Sequence, residues 1–410
     1  MLSATRIDEL VRLCRDMIQL PSPSGHEDRL AGLVRETMTA LGYDEVVVDR
    51  LGNVAGRIAA TLPGRTTRGA DSGTRGTTVL LEGHMDTVGP GDVSRWTKAP
   101  HGAEVEGGKI YGRGASDMKG GLAAMVLAAA YVKRDHPVRQ GDIIVAGSVH
   151  EECFEGVACS EIARAFEPDC VVIGEASQLD LKRGQRGRAE LVLETVGKAA
   201  HSSNPQAGLN ALSKMVAVLG AIEAGYIPRT HPVLGDAILE PTDIISSPYP
   251  GASVIPERCR VTFDRRLLTG ETREDVLGGI RRIIGRVHEA DPSVSASVGV
   301  AVGEDKCYTG ESIRAERFAP AWLFDEDHWF VALCLGALRS AGLHPSVSHY
   351  SFCTNGSYYA GVAGIPTVGF GPSREDLAHV ADEYVEIEQL VGACAGYYAI
   401  AGAIVCGGRS

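Results

Sequence analysis

Five places in the sequence put reactive side chains where folding has no need of them, each next to an apolar run. The stretch "VLLEGHMDTVG" (residues 79–89) ends in His84 and Asp86, and "YGRGASDMKGG" carries Asp117. "SVHEECFEG" sets Glu151 beside Glu152, "CVVIGEAS" leads into Glu175, and "DLAHVADEYV" holds His379. Residues i and i+2 of an extended chain point the same way. The Asp86 carboxylate can therefore accept one ring N–H of His84 while the other nitrogen binds a metal, as metal-binding imidazoles are commonly aimed. A hydrogen-bonded histidine at a loop mouth is the plainer alternative for that pair alone. Adjacent acids such as Glu151 and Glu152 at a buried strand exit repel unless positive charge sits among them. Asp117 could simply cap a helix, but capping does not explain the flanking glycines, which permit close backbone approach. Its GxGxxD string also suggests a dinucleotide loop, yet the acid needed about twenty residues on, after a second strand, is missing. Two histidines with three or more carboxylates form a mixed nitrogen–oxygen donor set. Such a set suits zinc, or manganese or cobalt, better than calcium or magnesium. Five donors exceed what one tetrahedral catalytic ion takes, so two divalent ions are expected.

Ligands gather at the carboxyl ends of strands in an open α/β sheet, and the surrounding pattern predicts such a sheet. An amphipathic helix over residues 7–20 precedes strand-like runs at "EVVVD", "NVAGRIAA" and "TTVLLEG". The polar segment "TLPGRTTRGADSGTRG" before the third run reads as a mobile loop. A helix over 118–132, a strand at "DIIVAGSV", a helix over 156–166 and a strand at "DCVVIGE" follow. Near-continuous apolar strands separated by helices mean a mainly parallel sheet with helices on both faces. From Arg186 the texture changes. Strands at "RAELVLETVG", "AILEPTDIIS", "RCRVTFDRRLL" and "SVSASVGVAV", with helices over 209–224 and 273–288, give the β-α-β-β-α-β order of a ferredoxin-like α+β unit. The α/β texture then returns, with a final helix from Glu383. The expected organisation is a catalytic domain built from residues 1–185 and 313–410, interrupted by an inserted domain over 186–312.

A chain of 410 residues suggests two or three domains. With 44% hydrophobic and 22% charged residues it reads as a folded globular protein. A formal net charge of -12 argues against a nucleic-acid partner and leaves room for bound cations. Ten cysteines lie at irregular spacings with no CxxC pair, which fits a reducing cytoplasm and buried free thiols. The N-terminal "MLSATRIDELVRLCRDMIQL" scatters charge through its length, so neither a secretory segment nor a membrane span is expected there.

The ordered motifs "GHMDT", "GRGASDMKGG", "HEE", "GEAS" and "AHVADEYV", with "VGKAAHSSNPQAGLNAL" in the inserted domain, resemble the co-catalytic zinc amidohydrolases. That family includes acetylornithine deacetylase, succinyl-diaminopimelate desuccinylase, carboxypeptidase G and related dipeptidases, and the resemblance covers essentially the whole chain. "CYTGESIRAERFAPAW" and "SFCTNGSYYAGVAGIPTVGFGP" are most similar to a subgroup named for selenium metabolism, a label that gives no substrate. The resemblance implies that His84 and Glu175 bind one ion, Glu152 and His379 the other, and Asp117 bridges them. It makes Asp86 the partner of His84 and Glu151 the general base that moves the proton of a metal-activated water to the leaving amine. It further implies that the inserted domain is a lid that pairs two subunits, with His201 donating to the tetrahedral oxyanion in the neighbouring subunit. Arg266 would bind a substrate carboxylate, while Arg265 should point to the other sheet face. Two departures fall on the substrate side. Ser253 stands in "SVIP" where the family usually has Asn, and Asn355, beside Gly356 in "CTNG", stands where relatives often have aspartate.

The expected function is metal-dependent hydrolysis of an amide bond in a small N-acyl amino acid or related compound, by a homodimer without nucleic-acid or membrane partners. A dipeptidase or carboxypeptidase with the same site is the alternative. A nicotinamide oxidoreductase built on "GRGASD" leaves His84, Glu152 and His379 unexplained. A metal-stabilised binding protein without catalysis would not need Glu151.

Overall fold

The computed structural model describes residues 2–62 and 76–406. The segment expected to be a mobile loop lies outside them apart from its ends. The chain divides into two compact units, one formed by Met1–Gln185, Glu304–Arg314 and Leu323–Ser410, the other by Arg186–Gly303 and Ala315–Trp322.

At the centre of the first unit's sheet, Ile143–Ser148, Val79–His84, Cys170–Ile173 and Thr367–Gly369 lie side by side and parallel, all fully buried. Val54–Ile58 runs antiparallel beside Ile143–Ser148. Burial on both faces explains why these strands read as unbroken apolar runs rather than alternating ones. On one face Leu80, Ile144, Ala146, Val171 and Ile173 pack against Ile162 and Ala163 of helix Cys159–Phe166. On the other face the strand ends are glycines. A Cβ on Gly83 or Gly174 would come within 2.5 or 2.6 Å of the Met118 or Met125 methyl, and one on Gly147 within 2.8 Å of Met85. That space is filled by helix Gly120–Asp135, which approaches so closely that a Cβ on Gly121 would lie 2.5 Å from the Gly174 carbonyl oxygen. The helix is buried from Gly120 to Val132, the signature of a core helix apolar all round.

The helix expected from residue 118 begins at Gly120, because Asp117 and Met118 keep non-helical dihedrals in the tight turn Ala115–Lys119. Asp117 is therefore not a helix cap. The final helix likewise starts later than expected. Residues Tyr384–Glu386 form a short strand against Lys109–Tyr111, and helix Ile387–Cys406 follows. That helix is long and apolar enough to cross a bilayer, but Leu390, Cys394, Tyr397 and Ile400 are buried and it packs on the core helix Gly120–Asp135.

In the second unit, strands Gly187–Val196, Ile238–Ser247, Arg258–Leu267 and Ser295–Val300 form an antiparallel sheet in which the first and third are central. Strand Gly187–Val196 alternates buried and half-buried residues. Leu191, Leu193, Val261 and Phe263 face Met215 and Val218 of helix Ala211–Gly225 and Leu277 and Ile280 of helix Arg273–Ala290. One face carries both helices, the ferredoxin-like arrangement.

The expected boundary at residue 312 needs correction, because the chain crosses between units more than once. Glu304–Arg314 belongs to the first unit, where the Tyr308 hydroxyl donates to the Gly52 carbonyl at 2.9 Å and Thr309 to that of Arg50 at 2.8 Å. Ala315–Trp322 returns to the second, where Phe318 and Ala319 pair with Ala189 and Arg188.

Candidate metal centre

Three adjacent parallel strands end at one place. Val79–His84 delivers His84 itself; Ile143–Ser148 leads into Glu151 and Glu152; Cys170–Ile173 leads into Glu175. Asp117 sits among them. Its Oδ1 is 2.9 Å from His84 Nε2, and its Oδ2 is 3.3 Å from His379 Nε2. Glu175 Oε1 lies 3.4 Å from His84 Nε2, and Glu152 Oε2 lies 2.9 Å from His379 Nε2. Donor atoms of His84, Asp117 and Glu152 fall within 4.8 Å of one another, as do those of His84, Glu151 and Glu175. The cluster thus has two halves, His84 with Glu175 and His379 with Glu152, and Asp117 presents one oxygen to each.

Electrostatics fit such a donor set. Burial and the nearby Asp117 charge push Glu175 up to about 7, and the same two causes raise Glu152. Burial, opposed by His84 but reinforced by Glu175 and Glu152, raises Glu151 well above the usual carboxylate range. Hydrogen bonds to Asp117 and Glu152 push His379 up to about 10. Burial opposes protonation of His84, yet the Glu175 charge and the bond to Asp117 hold it well above its ordinary value. Asp117 is lowered despite burial, because His379 and His84 both hydrogen-bond to it. The three glutamates resist ionising and the histidines hold protons, so the cluster calls for positive charge at its middle. Two histidines and these carboxylates fit divalent ions that accept nitrogen and oxygen donors.

Asp86 does something other than expected. His84 Nδ1 bonds to the Asp86 main-chain carbonyl at 2.8 Å, while the carboxylate stays 3.7 Å away. Strand Val79–His84 ends at His84, so the extended-chain spacing does not carry over to Asp86. The carboxylate instead accepts the N–H groups of Glu151 and Glu152, at 3.0 and 3.1 Å, and the Ser24 hydroxyl at 2.7 Å. It orders the loop bearing both glutamates.

Asn355 and Gly356, expected on the substrate side, are buried elsewhere. The Asn355 amide donates to Glu82 Oε1 and Ser148 Oγ, each at 2.9 Å, and its carbonyl accepts the Gly156 N–H at 2.8 Å. Every polar atom is engaged, and an aspartate there would face the buried Glu82 carboxylate. The Gly356 N–H is spent on Thr354 Oγ1 at 3.0 Å. In the second unit, Ala200–His201 pairs with Val254–Ile255, and the Ser202 N–H donates to the Ser253 carbonyl at 2.8 Å, so His201 and Ser253 are neighbours. Arg266 Nε donates to Asp264 at 2.7 Å; Arg265 turns to the other face, buried against Glu271 at 2.6 Å.

Sequence reasoning missed the loop "PSPSGHED". Besides Ser24, it supplies Glu27, whose Oε1 accepts the N–H groups of Gly25 and His150 at 3.0 and 3.3 Å. Its signal is slight, since a Ser and a Glu in a Pro/Gly-rich loop look like ordinary turn residues. Glu383 was missed too, although it lies inside a quoted motif.

Such a cluster, at the exits of a parallel sheet, defines a metal-dependent hydrolase. Residues 80–403 match the peptidase family M20/M25/M40, and the chain belongs to that family. The uncharacterized protein YgeY of Escherichia coli strain K12 is 33% identical over 400 residues, covering 96% of this chain and 93% of that protein. A succinyl-diaminopimelate desuccinylase of Cereibacter sphaeroides is 27% identical over 389 residues, covering 93% and 94%. The solved structure of Bacillus subtilis YXEP, described as a dinuclear metal binding peptidase from the M20 family, superposes with a TM-score of 0.66 at 15% identity, covering 97% and 98% of the two chains.

The metal-free protein should lose stability as pH rises. Glu175, raised to about 7, ionises more readily unfolded than folded, so its contribution worsens from its unfolded value upward through 7. His379, raised to about 10, contributes fully below the ordinary histidine value, and that contribution fades as pH climbs toward 10. Asp117 works oppositely, but its loss falls at acid pH. The apo melting temperature should therefore decline between about pH 5 and about pH 9, and the rise caused by added zinc should grow over the same range. Scanning calorimetry of chelator-treated protein across that range is the check. An apo melting temperature that stays level or climbs would contradict the electrostatics above.

Proposed function

We propose that this hydrolase is a zinc-dependent deacylase that cleaves the amide bond of a small N-acyl amino acid. His84 and Glu175 would hold one ion, Glu152 and His379 the second, and Asp117 would bridge. The observation that carries the proposal is the difference between the adjacent glutamates. Both Glu152 oxygens lie against His379 Nε2, Oε2 at an ion-pair distance of 2.9 Å and Oε1 in a hydrogen bond at 3.2 Å. Glu151 Oε1 is buried and has no hydrogen-bond partner among the described residues. One glutamate is committed to the cluster; the other keeps an oxygen free to move a proton.

When bound, the two ions would acidify a water and polarise the scissile carbonyl. Glu151 would accept the water's proton and pass it to the leaving amine, a task suited to an acid whose pKa burial has raised. Asp86 fixes the Glu151 and Glu152 main chain, so the proton-carrying oxygen has one place to be. His201 supports a donor role at the oxyanion. Its Nδ1 accepts the Ser203 N–H at 3.1 Å, which leaves the neutral ring's proton on Nε2, and the side chain is exposed. Arg266, half-buried on strand Arg258–Leu267 and held by Asp264 at 2.7 Å, would bind the substrate carboxylate.

The desuccinylase relative supports the deacylase reading, and a dipeptidase using the same centre is the alternative. We further propose a homodimer formed through the inserted domain, with each His201 serving the other subunit. Strand Ile238–Ser247 is an edge with exposed Ile244 and Ile245, and Leu212 and Val216 are exposed on helix Ala211–Gly225. Such edges and apolar faces are normally covered. Free and mostly buried thiols support a cytoplasmic setting.

A panel of N-acyl amino acids and dipeptides, offered to zinc-loaded protein, tests the activity. The wild type should turn over N-acyl amino acids in preference to dipeptides. Glu151→Gln should keep both ions and lose about 10² to 10⁴-fold in turnover, whereas Glu152→Gln should lose metal. Swapped phenotypes would reverse the roles, and hydrolysis of dipeptides alone would favour the alternative. Subunit exchange between inactive His201→Ala and Glu151→Gln chains should restore activity, because a mixed dimer contains one intact site. No recovery on mixing would place His201 in its own subunit's site or outside the chemistry.

A further inference from the structure

Asp117 reaches its position through a turn that no helix supports. Its φ and ψ are -126° and 94°, and those of Met118 are -137° and 33°. The N–H groups of Ser116 and Asp117 both go to a single oxygen, Glu383 Oε1, at 2.8 and 3.0 Å. Glu383 Oε2 accepts from Arg113 at 2.5 Å, and both side chains are buried. Main-chain contacts reinforce the join, since the Gly112 N–H donates to the Glu383 carbonyl at 2.8 Å. Asp382 alongside accepts the N–H groups of Thr97 and Lys98 at 2.8 and 3.1 Å.

Two segments far apart in sequence are tied here, and each bears a member of the cluster. Asp117 follows Arg113 on one; His379 precedes Glu383 on the other. Placing a further carboxylate beside a crowd of acids is costly, and Arg113 offsets the charge. A hydroxyl or carbonyl could satisfy one N–H without that burden. A carboxylate reaches two N–H groups with one oxygen and the guanidinium with the other, fixing three points at once.

We propose that Glu383 is a positioning residue for the metal centre. Its Oε1 sets the main chain of Asp117 so that the carboxylate faces both halves of the cluster. The loop it anchors sets the 3.3 Å separation of His379 Nε2 and Asp117 Oδ2. This rests on the metal-ligand roles proposed above, but its test needs no substrate, so a failed hydrolysis screen leaves it intact.

Zinc titrated calorimetrically into apo protein, with apo and zinc-loaded melting curves, provides the test. Glu383→Asp keeps the charge and withdraws the carboxylate by one C–C bond, about 1.5 Å. It should fold, melt near wild type without metal, gain less from zinc, and lose about 10–100-fold in affinity for at least one ion. Glu383→Gln keeps an acceptor at full reach for the Ser116 and Asp117 N–H groups but turns an NH2 toward Arg113, so it should melt lower without metal while retaining more zinc affinity than Glu383→Asp. Wild-type zinc binding by Glu383→Asp would overturn the proposal, as would a Gln variant weaker than the Asp variant. A lowered apo melting temperature with unchanged zinc affinity would show a loop staple only, and failure of Glu383→Asp to fold would likewise refute a local positioning role.

Discussion

Like charges held together out of water are the constraint around which the first unit is arranged. Asp117 with Glu152, and Glu151 with Glu175, offer oxygens within 4.8 Å, where each ionised pair repels by about 3 kcal/mol at an effective dielectric near 20. Two histidines answer part of that repulsion by holding protons tightly. Divalent cations would answer it more fully, because each would bring two charges and could take the oxygens as ligands. The acids are tolerated at the exits of buried strands because binding can return the energy that folding spends on gathering them.

Several features that look independent follow from this gathering. Parallel strands put their carboxyl ends side by side, so three chain segments deliver donors to one spot without long loops. Glycines at those ends let helix Gly120–Asp135 close over the sheet and bring the Asp117 turn down to it. A second tier of carboxylates then holds the main chain around the centre: Asp86 ties down the glutamate loop, and Glu383 ties Asp117 to the His379 segment. Asp117, Glu151 and Glu152 are oriented in part through their main-chain N–H groups, which leaves Glu151 Oε1 and both Asp117 oxygens facing the cluster.

The sequence showed the inner tier plainly. His84 after "VLLEG", Glu151 and Glu152 just beyond "IIVAGSV" and Glu175 after "VVIG" contrast with the apolar runs that precede them, and the parallel-sheet reading explains why such exits converge. The outer tier was hidden for geometric reasons. Asp86 was assigned to His84 by the i, i+2 rule, which holds only while the strand continues, and the strand stops at His84. Glu383 bonds to groups some 270 residues earlier, as the Arg113 pair shows, and no local pattern announces that. Asn355 was read as a substrate residue from its departure at a recognised motif, whereas its amide satisfies a buried Glu82–Ser148 network. The unit boundary was misplaced because Val302–Lys306 and Ser312–Glu316 are strands lying where the chain passes between units.

Crystals grown with zinc, measured on both sides of the zinc absorption edge, would address the paired cluster most directly. Two anomalous peaks about 3.5–4 Å apart are expected, one beside His84 and Glu175 and the other beside Glu152 and His379, with an Asp117 oxygen toward each. A single peak, or peaks away from these five side chains, would contradict the two-ion arrangement.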